Sequence, residues 1–238
     1  MEHIESEGLL QPVTREAYLQ SEWEELISII VSQRVYIESL NRLNVTDQKT
    51  EVLNYRGLIE AYEKTILSLR SSNHNNRRHD DINRPESDTL ITTLFVDVDN
   101  FKKINEVIGY INADSLLWLV ANRVLKSNVR NDDIVGRFGG DEFIVVLPET
   151  SLDQTKKIYN RIEDTLIKLN TSEYFNSDDF QVDENHKNIA RILQILSLEG
   201  LNLSLSIGVS EGTTSHSLGF ALENANKELV KIKKAKHE

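Results

Sequence analysis

The 238-residue sequence contains no cysteine and only three prolines. Without cysteine the chain can form neither a disulfide framework nor a thiolate metal site, which fits a reducing compartment. The acidic amino terminus lacks the basic stretch and apolar run of a signal peptide. The most apolar runs, residues 26–31 and 143–147, are too short to cross a bilayer. The sequence therefore predicts a soluble, cytoplasmic protein with no membrane partner.

Positive charge is also scarce. The chain has 27 Lys and Arg against 38 Asp and Glu, a formal net charge of −11. Because binding to a nucleic-acid backbone requires clustered basic side chains, this balance argues against a nucleic-acid partner. Hydrophobic residues make up 39% of the chain, which is enough to build a buried core. A phosphate ligand would have to be held by a few local cations, backbone amides or metal ions.

The amino-terminal part divides into a short polar start and a long helix. Residues 1–13 are predicted to be disordered and residues 14–46 to be helical. Five apolar residues on a three-four spacing fit a dimerising coiled coil: Trp23, Leu26, Ile30, Ile37 and Leu40. Four further apolar residues make the face wider than a strict seam: Ile27, Ile29, Val31 and Val35. A helix packed on its own domain is therefore an equal alternative.

Residues 47–238 alternate between helical and strand patterns, which predicts an α+β sheet covered by helices. Two polar stretches without periodicity, about 71–88 and 171–188, are predicted as exposed insertions. His74 and His79 lack ligand spacing, so a solvated loop is favoured over a metal site there. Helices are predicted at about 54–70, after 101, and at 112–128, 151–170, 189–198 and 218–232. Strands are predicted at 89–98, 134–138, 143–147 and 201–210.

Two acidic pairs are candidates for chemistry. Asp97 and Asp99 follow a buried strand, in which side chains two residues apart share a face. Asp141 and Glu142 directly follow a Gly-Gly turn. Carboxylates at a strand end or a hairpin turn suit Mg²⁺, which takes oxygen ligands and usually keeps phosphate oxygens in its coordination shell. The glycines of the turn let the backbone approach a phosphate closely. From the residues alone, a metal–phosphate site and an ordinary acidic hairpin turn both remain open.

The run Arg137-Phe138-Gly139-Gly140-Asp141-Glu142-Phe143 resembles the signature of the GGDEF family of diguanylate cyclases. DVDNFKKIN, the later Gly109 and Asp114, and Ser206-Ile207-Gly208-Val209 also match family segments. Residues 47–56 look like a weakened form of the family's Asp-x-Leu-Thr-Gly-Leu-x-Asn-Arg opening. The resemblance covers about residues 45–238. It implies a nucleotidyl-cyclase-like fold (palm or ferredoxin-like), with an antiparallel-centred sheet flanked by helices and an N-terminal helix.

The resemblance implies an enzyme that condenses two GTP molecules into cyclic di-GMP and pyrophosphate. It would use Mg²⁺ or Mn²⁺, two ions per active site when GTP is bound. Asp97, Asp141 and the carbonyl of Val98 would hold the metals. Glu142 would either ligate a metal or help to deprotonate the attacking hydroxyl, so Asp97, Asp141 and Glu142 are the candidate catalytic residues.

The resemblance also implies contacts to the substrate and the product. Asn105 and Asp114 would read the guanine edge. Arg130 and Asp133 stand at the family's product-inhibition position, with Arg161 as a second contact. Because each domain holds one GTP, two domains must face each other, which implies a homodimer with cyclic di-GMP as product and inhibitor. The residues implied near the triphosphate are Asn100, Phe101, Lys102, Gly139, Gly140 and Lys233.

Six positions depart from the family pattern. Glu51 replaces a glycine, so strain is expected if the turn requires one. Two other interpretations therefore stand beside an active cyclase: a non-catalytic module that binds cyclic di-GMP or GTP, and a cyclase that makes a mixed purine dinucleotide. The Asp114 carboxylate argues against the mixed product, because it suits guanine. The other departures are Lys49 for Leu, Tyr110 for His, Ala113 for Gly, Asn226 for Asp and His237 for a phosphate-binding Arg.

Overall fold

A computed structural model describes residues 15–75, 88–171 and 184–237. The predicted disorder of residues 1–13, residue His79 and the central parts of both polar insertions lie outside the described residues, as does the side chain of His74. The chain divides into two units, an amino-terminal unit ending at Leu43 and a larger one beginning at Asn44. In the parts of the chain that the structure describes, no helix is long and apolar enough to span a membrane.

The amino-terminal unit consists of most of helix α1, Arg15–Val45. The large apolar side chains that the structure describes in this unit are 44–64% exposed: Trp23, Leu26, Ile27, Ile29, Ile30, Val31, Val35, Tyr36, Ile37 and Leu40. At 100° per residue these positions are spread around much of the helix circumference. Together they form an apolar surface wider than the stripe that a single partner helix would cover. The coiled-coil role of residues 14–46 stays a prediction.

The larger unit is built on a four-stranded sheet in the order β2-β3-β1-β4, and every neighbouring pair is antiparallel. The predicted α+β fold with an antiparallel-centred sheet is confirmed. Strand β1 lies inside the sheet and is buried from Ile91 to Val98, which explains its continuous apolar and β-branched run. The strands are β1 (Leu90–Val98), β2 (Ile134–Gly139), β3 (Glu142–Pro148) and β4 (Leu205–Thr213).

Helices cover both faces of this sheet. They are α2 (Tyr55–Asn75), α3 (Phe101–Ile108), α4 (Tyr110–Leu119), α5 (Leu152–Asn170), α6 (Glu184–Leu198) and α7 (Leu218–His237). Helix α4 continues through a π-helical turn, Val120–Leu125, and a 3₁₀ turn, Lys126–Asn128. One apolar core contains residues of α3, α4, α5 and α6 together with strand residues such as Val96 and Phe143. The other contains residues of α2 and α7 together with Phe95 and Ile144.

Several element boundaries differ from the sequence prediction. Helix α2 continues to Asn75, so the first residues of the predicted insertion at 71–88 are helical. Helix α6 begins at Glu184, inside the predicted insertion at 171–188. Strand β4 begins at Leu205 although the apolar alternation starts at residue 201, because Leu205 pairs with Val98, the last residue of β1. Leu201 and Leu203 are buried without a strand partner.

Gly208 lets α7 pack directly on β4. A Cβ atom at this position would lie 2.0 Å from the carbonyl oxygen of Ala225 and 2.8 Å from Cβ of Leu229. Any side chain larger than hydrogen would therefore push the helix away from the sheet. This close approach fixes α7 so that Lys233, one turn after Leu229, reaches the end of β1.

Candidate active site

The end of β1 and the β2–β3 hairpin bring carboxylates together at one edge of the sheet. Asp97 is the cross-strand partner of Glu142, and the backbone N–H of Val98 donates to the carbonyl of Asp141 at 3.3 Å. Asp97 lies more than forty residues before Asp141 and Glu142 in the sequence. The antiparallel register between β1 and β3 therefore assembles the predicted catalytic group.

Asp97 is the most buried carboxylate of this group, with a side chain only 8% exposed. Its Oδ1 atom accepts from Nζ of Lys233 on α7 at 2.5 Å. Burial raises the pKa of Asp97, Lys233 opposes the shift, and the neighbouring Asp141 and Asp99 add to it. Burial likewise raises the pKa of Glu142, with further contributions from Asp97 and Asp141. Negative charge is thus concentrated here beyond what Lys233 compensates.

Asp99 has a different environment. It accepts from Oγ of Ser206 at 2.6 Å, from Oγ of Ser204 at 2.8 Å and from Nζ of Lys236 at 2.7 Å. Burial alone would raise the pKa of Asp99, but these three donors outweigh it and hold the pKa below its usual value. The sequence identifies Asp99 as a member of an acidic pair, but Ser204, Ser206 and Lys236 become its neighbours only in the fold.

A cleft of about 560 Å³ opens beside these residues. The lining residues are Asp97, Asp99, Asn100, Ser204, Lys233 and Lys236. Asn100 has a left-handed backbone (φ 56°) and precedes the first turn of α3. Because the first amides of a helix lack intrahelical acceptors, this end of α3 favours anions. Lys102 in the same turn is exposed.

The Gly-Gly turn borders open space. Gly140 has φ +53°, and a Cβ atom on Gly139 or Gly140 would meet no protein atom within 4 Å. The carbonyl of Gly140 accepts from Nε and Nη2 of Arg137 at 2.9 and 2.6 Å. Nη1 of Arg137 donates to Asp47 at 3.0 Å. Arg137, which belongs to the matched signature but had no predicted role, therefore ties this turn to the loop that precedes α2.

The oxygen donors at this site fit a hard divalent cation. Among the described residues no three His, Asp or Glu side chains form a ready-made metal cluster. Mg²⁺, however, is commonly held by one or two carboxylates together with phosphate oxygens. Asp97, Asp141, Glu142 and the carbonyl of Val98 offer only oxygen ligands, and a bound cation would relieve the mutual repulsion of the carboxylates.

The predicted base-reading residues lie on α3 and α4. Asn105 is half-buried, and Asp114 pairs with Nζ of Lys49 at 2.9 Å. In the same loop Glu51 has φ 61°, so the expected strain at this glycine position is confirmed. Of the other departures, Ala113 is buried and Tyr110 is 81% exposed. The side chain of His237 lies outside the described residues.

Two of the predicted inhibitory residues, Arg130 and Asp133, line a separate groove of about 320 Å³. The carboxylate of Asp133 accepts from the backbone N–H of Arg130 at 2.7 Å. Burial raises the pKa of Asp133, and nearby Arg130 and Arg161 oppose this shift. Arg161 donates to the carbonyl of Asn128 at 2.6 Å. The structure thus brings the three residues near one another.

Comparison with known proteins agrees with this geometry. The family model described as "Diguanylate cyclase, GGDEF domain" matches residues 44–184. Diguanylate cyclase DosC of Escherichia coli (strain K12) is 35% identical over 150 residues, 61% of this chain and 29% of DosC. Response regulator PleD of Caulobacter vibrioides (strain NA1000 / CB15N) is 35% identical over 132 residues, 54% of this chain and 24% of PleD. The chain therefore spans less than a third of either relative.

Solved structures show the same fold. The coiled coil and GGDEF domain of DgcB from Caulobacter crescentus, in complex with c-di-GMP, covers 91% of this chain and is itself covered to 95%, with a TM-score of 0.63 and 16% identity. SiaD from Pseudomonas aeruginosa, in complex with its activator SiaC, covers 92% and is covered to 72%, with a TM-score of 0.53 and 21% identity. At these identities the likeness establishes the fold. Because the family model matches more than half of the sequence, the chain belongs to the GGDEF family of diguanylate cyclase domains.

Proposed function

We propose that this chain is a catalytically active diguanylate cyclase that converts two GTP molecules into cyclic di-GMP and two pyrophosphates. One observation carries the proposal: paired carboxylates and two lysines share one cleft beside an open Gly-Gly turn and a helix amino terminus. This combination suits a nucleotide triphosphate, whose negative charge needs cations, backbone donors and room.

The proposed reaction is an in-line displacement at phosphorus. The 3′-oxygen of one GTP forms a bond to the α-phosphorus of the other, the bond from that phosphorus to the bridging oxygen breaks, and pyrophosphate leaves. Repetition with the roles exchanged closes the ring. Positioning and charge stabilisation contribute most to such a reaction, and the protein needs little covalent chemistry of its own.

Glu142 is our candidate acceptor for the proton of the attacking hydroxyl. Its position opposite Asp97 sets it at the edge of the carboxylate group, where its carboxylate can accept a proton. Asp97, buried and held by Lys233, is less able to move and suits the role of a fixed ligand.

Divalent ions would be held by Asp97, Asp141, Glu142 and the carbonyl of Val98. Mg²⁺ or Mn²⁺, two per site with GTP, would supply charge neutralisation at the phosphates and activation of the hydroxyl. The same carboxylates would exclude other anions from this edge when no cation is bound. Lys233 would exchange part of its interaction with Asp97 for a phosphate oxygen.

Two lysines of α7 and one of α3 would neutralise the triphosphate. Lys233 and Lys236 line the cleft, and exposed Lys102 belongs to the first turn of α3, next to the amides of Asn100 and Phe101. Lys236 follows Lys233 by three residues, so both lie on one side of α7. We propose that Lys236 takes the phosphate contact for which the family pattern has an arginine at position 237.

Two copies of the domain must meet, because each one would hold a single GTP. The exposed apolar side chains of α1 support a homodimer formed through residues 14–46. We also propose that Arg130, Asp133 and Arg161 bind cyclic di-GMP and reduce activity when product accumulates. The guanidinium groups of the two arginines can donate to the phosphate oxygens of that ligand, and the carboxylate of Asp133 can accept from its guanine N–H groups.

Product analysis of the purified full chain tests the activity. With Mg²⁺ and GTP we expect cyclic di-GMP, and added ATP should yield no mixed dinucleotide. Asp141→Asn should reduce synthesis by about a thousandfold or more, because it removes a charged ligand from the reacting phosphates. A protein that binds cyclic di-GMP but forms no cyclic product would instead be the non-catalytic module. Undiminished synthesis by Asp141→Asn would refute the metal-site assignment.

A further inference from the structure

The Lys49–Asp114 ion pair joins two segments that lie 65 residues apart in the sequence. Lys49 stands where the family pattern has leucine, so the ion pair is a property of this chain. Nζ of Lys49 lies 2.9 Å from Oδ1 of Asp114, and the two side chains are 54% and 37% exposed. Both charged groups can therefore be reached by a ligand from solvent.

The loop that carries Lys49 is held in place on both sides. Thr50 is fully buried, and its carbonyl accepts from Nδ2 of Asn122 at 2.7 Å. Its Oγ1 donates to Oδ1 of Asp47 at 2.7 Å, and Asp47 in turn binds Arg137. The backbone next to Lys49 is thus fixed relative to the helical segment after Asp114 and to the Gly-Gly turn. The side chain starts from a defined point beside Asp114.

The pair presents hydrogen-bonding groups in a definite order. The Lys49 ammonium is a donor, and the two oxygens of Asp114 are acceptors. Cytosine pairs with guanine through the same order: its amino group donates to O6, while its ring nitrogen and carbonyl accept from N1–H and the 2-amino group. A lysine next to an aspartate can therefore match all three positions of the Watson–Crick edge of guanine.

We propose that Lys49 and Asp114 together recognise the base of GTP, with Lys49 donating to O6 and Asp114 accepting from N1–H and the 2-amino group. This assignment rests on the proposed function and extends it, because Lys49 becomes a second specificity-determining residue. Adenine in the same orientation would turn its 6-amino donor toward the ammonium and its bare N1 toward a carboxylate oxygen. Both mismatches reject ATP.

Equilibrium binding separates this role from catalysis. The probes are 3′-deoxy triphosphates, which lack the attacking hydroxyl, in the presence of Mg²⁺. They carry guanine or hypoxanthine, which lacks the 2-amino group. Wild type is compared with Lys49→Met and Asp114→Asn. Lys156→Met is the matched control, since it removes another exposed lysine–aspartate pair, with Asp153 at 3.1 Å on α5.

Lys49→Met should bind the guanine and hypoxanthine probes about tenfold more weakly, with an unchanged ratio between them. Asp114→Asn should instead reduce the preference for guanine over hypoxanthine. Tighter or unchanged guanine binding by Lys49→Met would overturn the inference, since Lys49 would then only obstruct or ignore the base. If wild type binds no guanine probe, the proposed function itself fails.

Discussion

The proposed phosphate end and the proposed guanine end of the candidate site are built in different ways. The phosphate end lies where β1, the β2–β3 hairpin and α7 meet, and its Asp97–Lys233 pair has a carboxylate only 8% exposed. The guanine end lies on α4 and the loop before α2, and its Lys49–Asp114 pair is 54% and 37% exposed. One end is part of the packed fold, whereas the other is a surface arrangement.

Because of this difference in burial, breaking the two ion pairs should have different consequences. An exposed ion pair contributes little to stability, about 0–1 kcal/mol. Either charged group can therefore release its partner and bind a ligand instead. A buried carboxylate is constrained by its surroundings, and loss of its partner leaves an uncompensated charge. We therefore expect changes at the phosphate end to affect both stability and affinity, and changes at the guanine end to affect base selectivity.

Gly208→Ala should produce the largest effect on stability. The added Cβ would lie 2.0 Å from the carbonyl of Ala225, so α7 must shift and carry Lys233 away from Asp97. We expect a loss of about 3 kcal/mol and a melting temperature lower by roughly 10 °C, measured by thermal unfolding. Gly139→Ala is the control for stability, because its Cβ would meet no protein atom within 4 Å. Equal melting temperatures for both variants would contradict the close packing of α7.

Lys233→Met should weaken binding of the 3′-deoxy GTP probe by about 100-fold, because it removes a charged contact from the phosphate end. The ratio of guanine to hypoxanthine binding should stay as in wild type, since the base is read elsewhere. Lys231→Met is a suitable control, because Lys231 pairs with exposed Glu228 on the same helix. A changed base ratio in Lys233→Met would mean that the two ends do not act separately.

The smallest expected effect is a pH dependence at Asp97. Its folded pKa is raised, so the folded protein holds a proton that the unfolded chain releases. The contribution of Asp97 to stability should therefore fall as pH rises from the usual Asp value of 3.8 through the raised pKa, and it should be constant above that. In the absence of divalent ions, the stability of Asp97→Asn should not show this fall. At neutral pH the variant should have a melting temperature a few degrees above that of wild type. If the difference in melting temperature between Asp97→Asn and wild type does not vary with pH, burial does not raise the pKa of Asp97 as assigned.

The fold was largely predictable, because it depends on patterns that are local in sequence. The buried run before Val98, the Gly-Gly turn and the apolar stripe of α7 each predicted their element. The errors fell at boundaries. The alternation beginning at residue 201 has no strand partner before Leu205, and strand pairing is a property of two segments together.

The candidate site was predictable only in part. The resemblance points to Asp97 through the DVDNFKKIN segment and to Asp141 and Glu142 through the signature, and the β1–β3 register brings them together. Lys49 departs from the leucine of the family pattern, and no sequence signal indicates its pairing with Asp114. Arg137 belonged to the motif, but its contact with Asp47 depends on how the opening loop folds over the hairpin.

By itself, the sequence determined which residues carry charge, which stretches form strands and helices, and which family the chain resembles. Hydrophobic periodicity and turn residues act over a few neighbours, so they can be read along the chain. Only the tertiary structure decided which lysine meets which carboxylate: Lys233 with buried Asp97, and Lys49 with exposed Asp114. Burial and ion pairing arise between distant segments, and they set the electrostatics of the site.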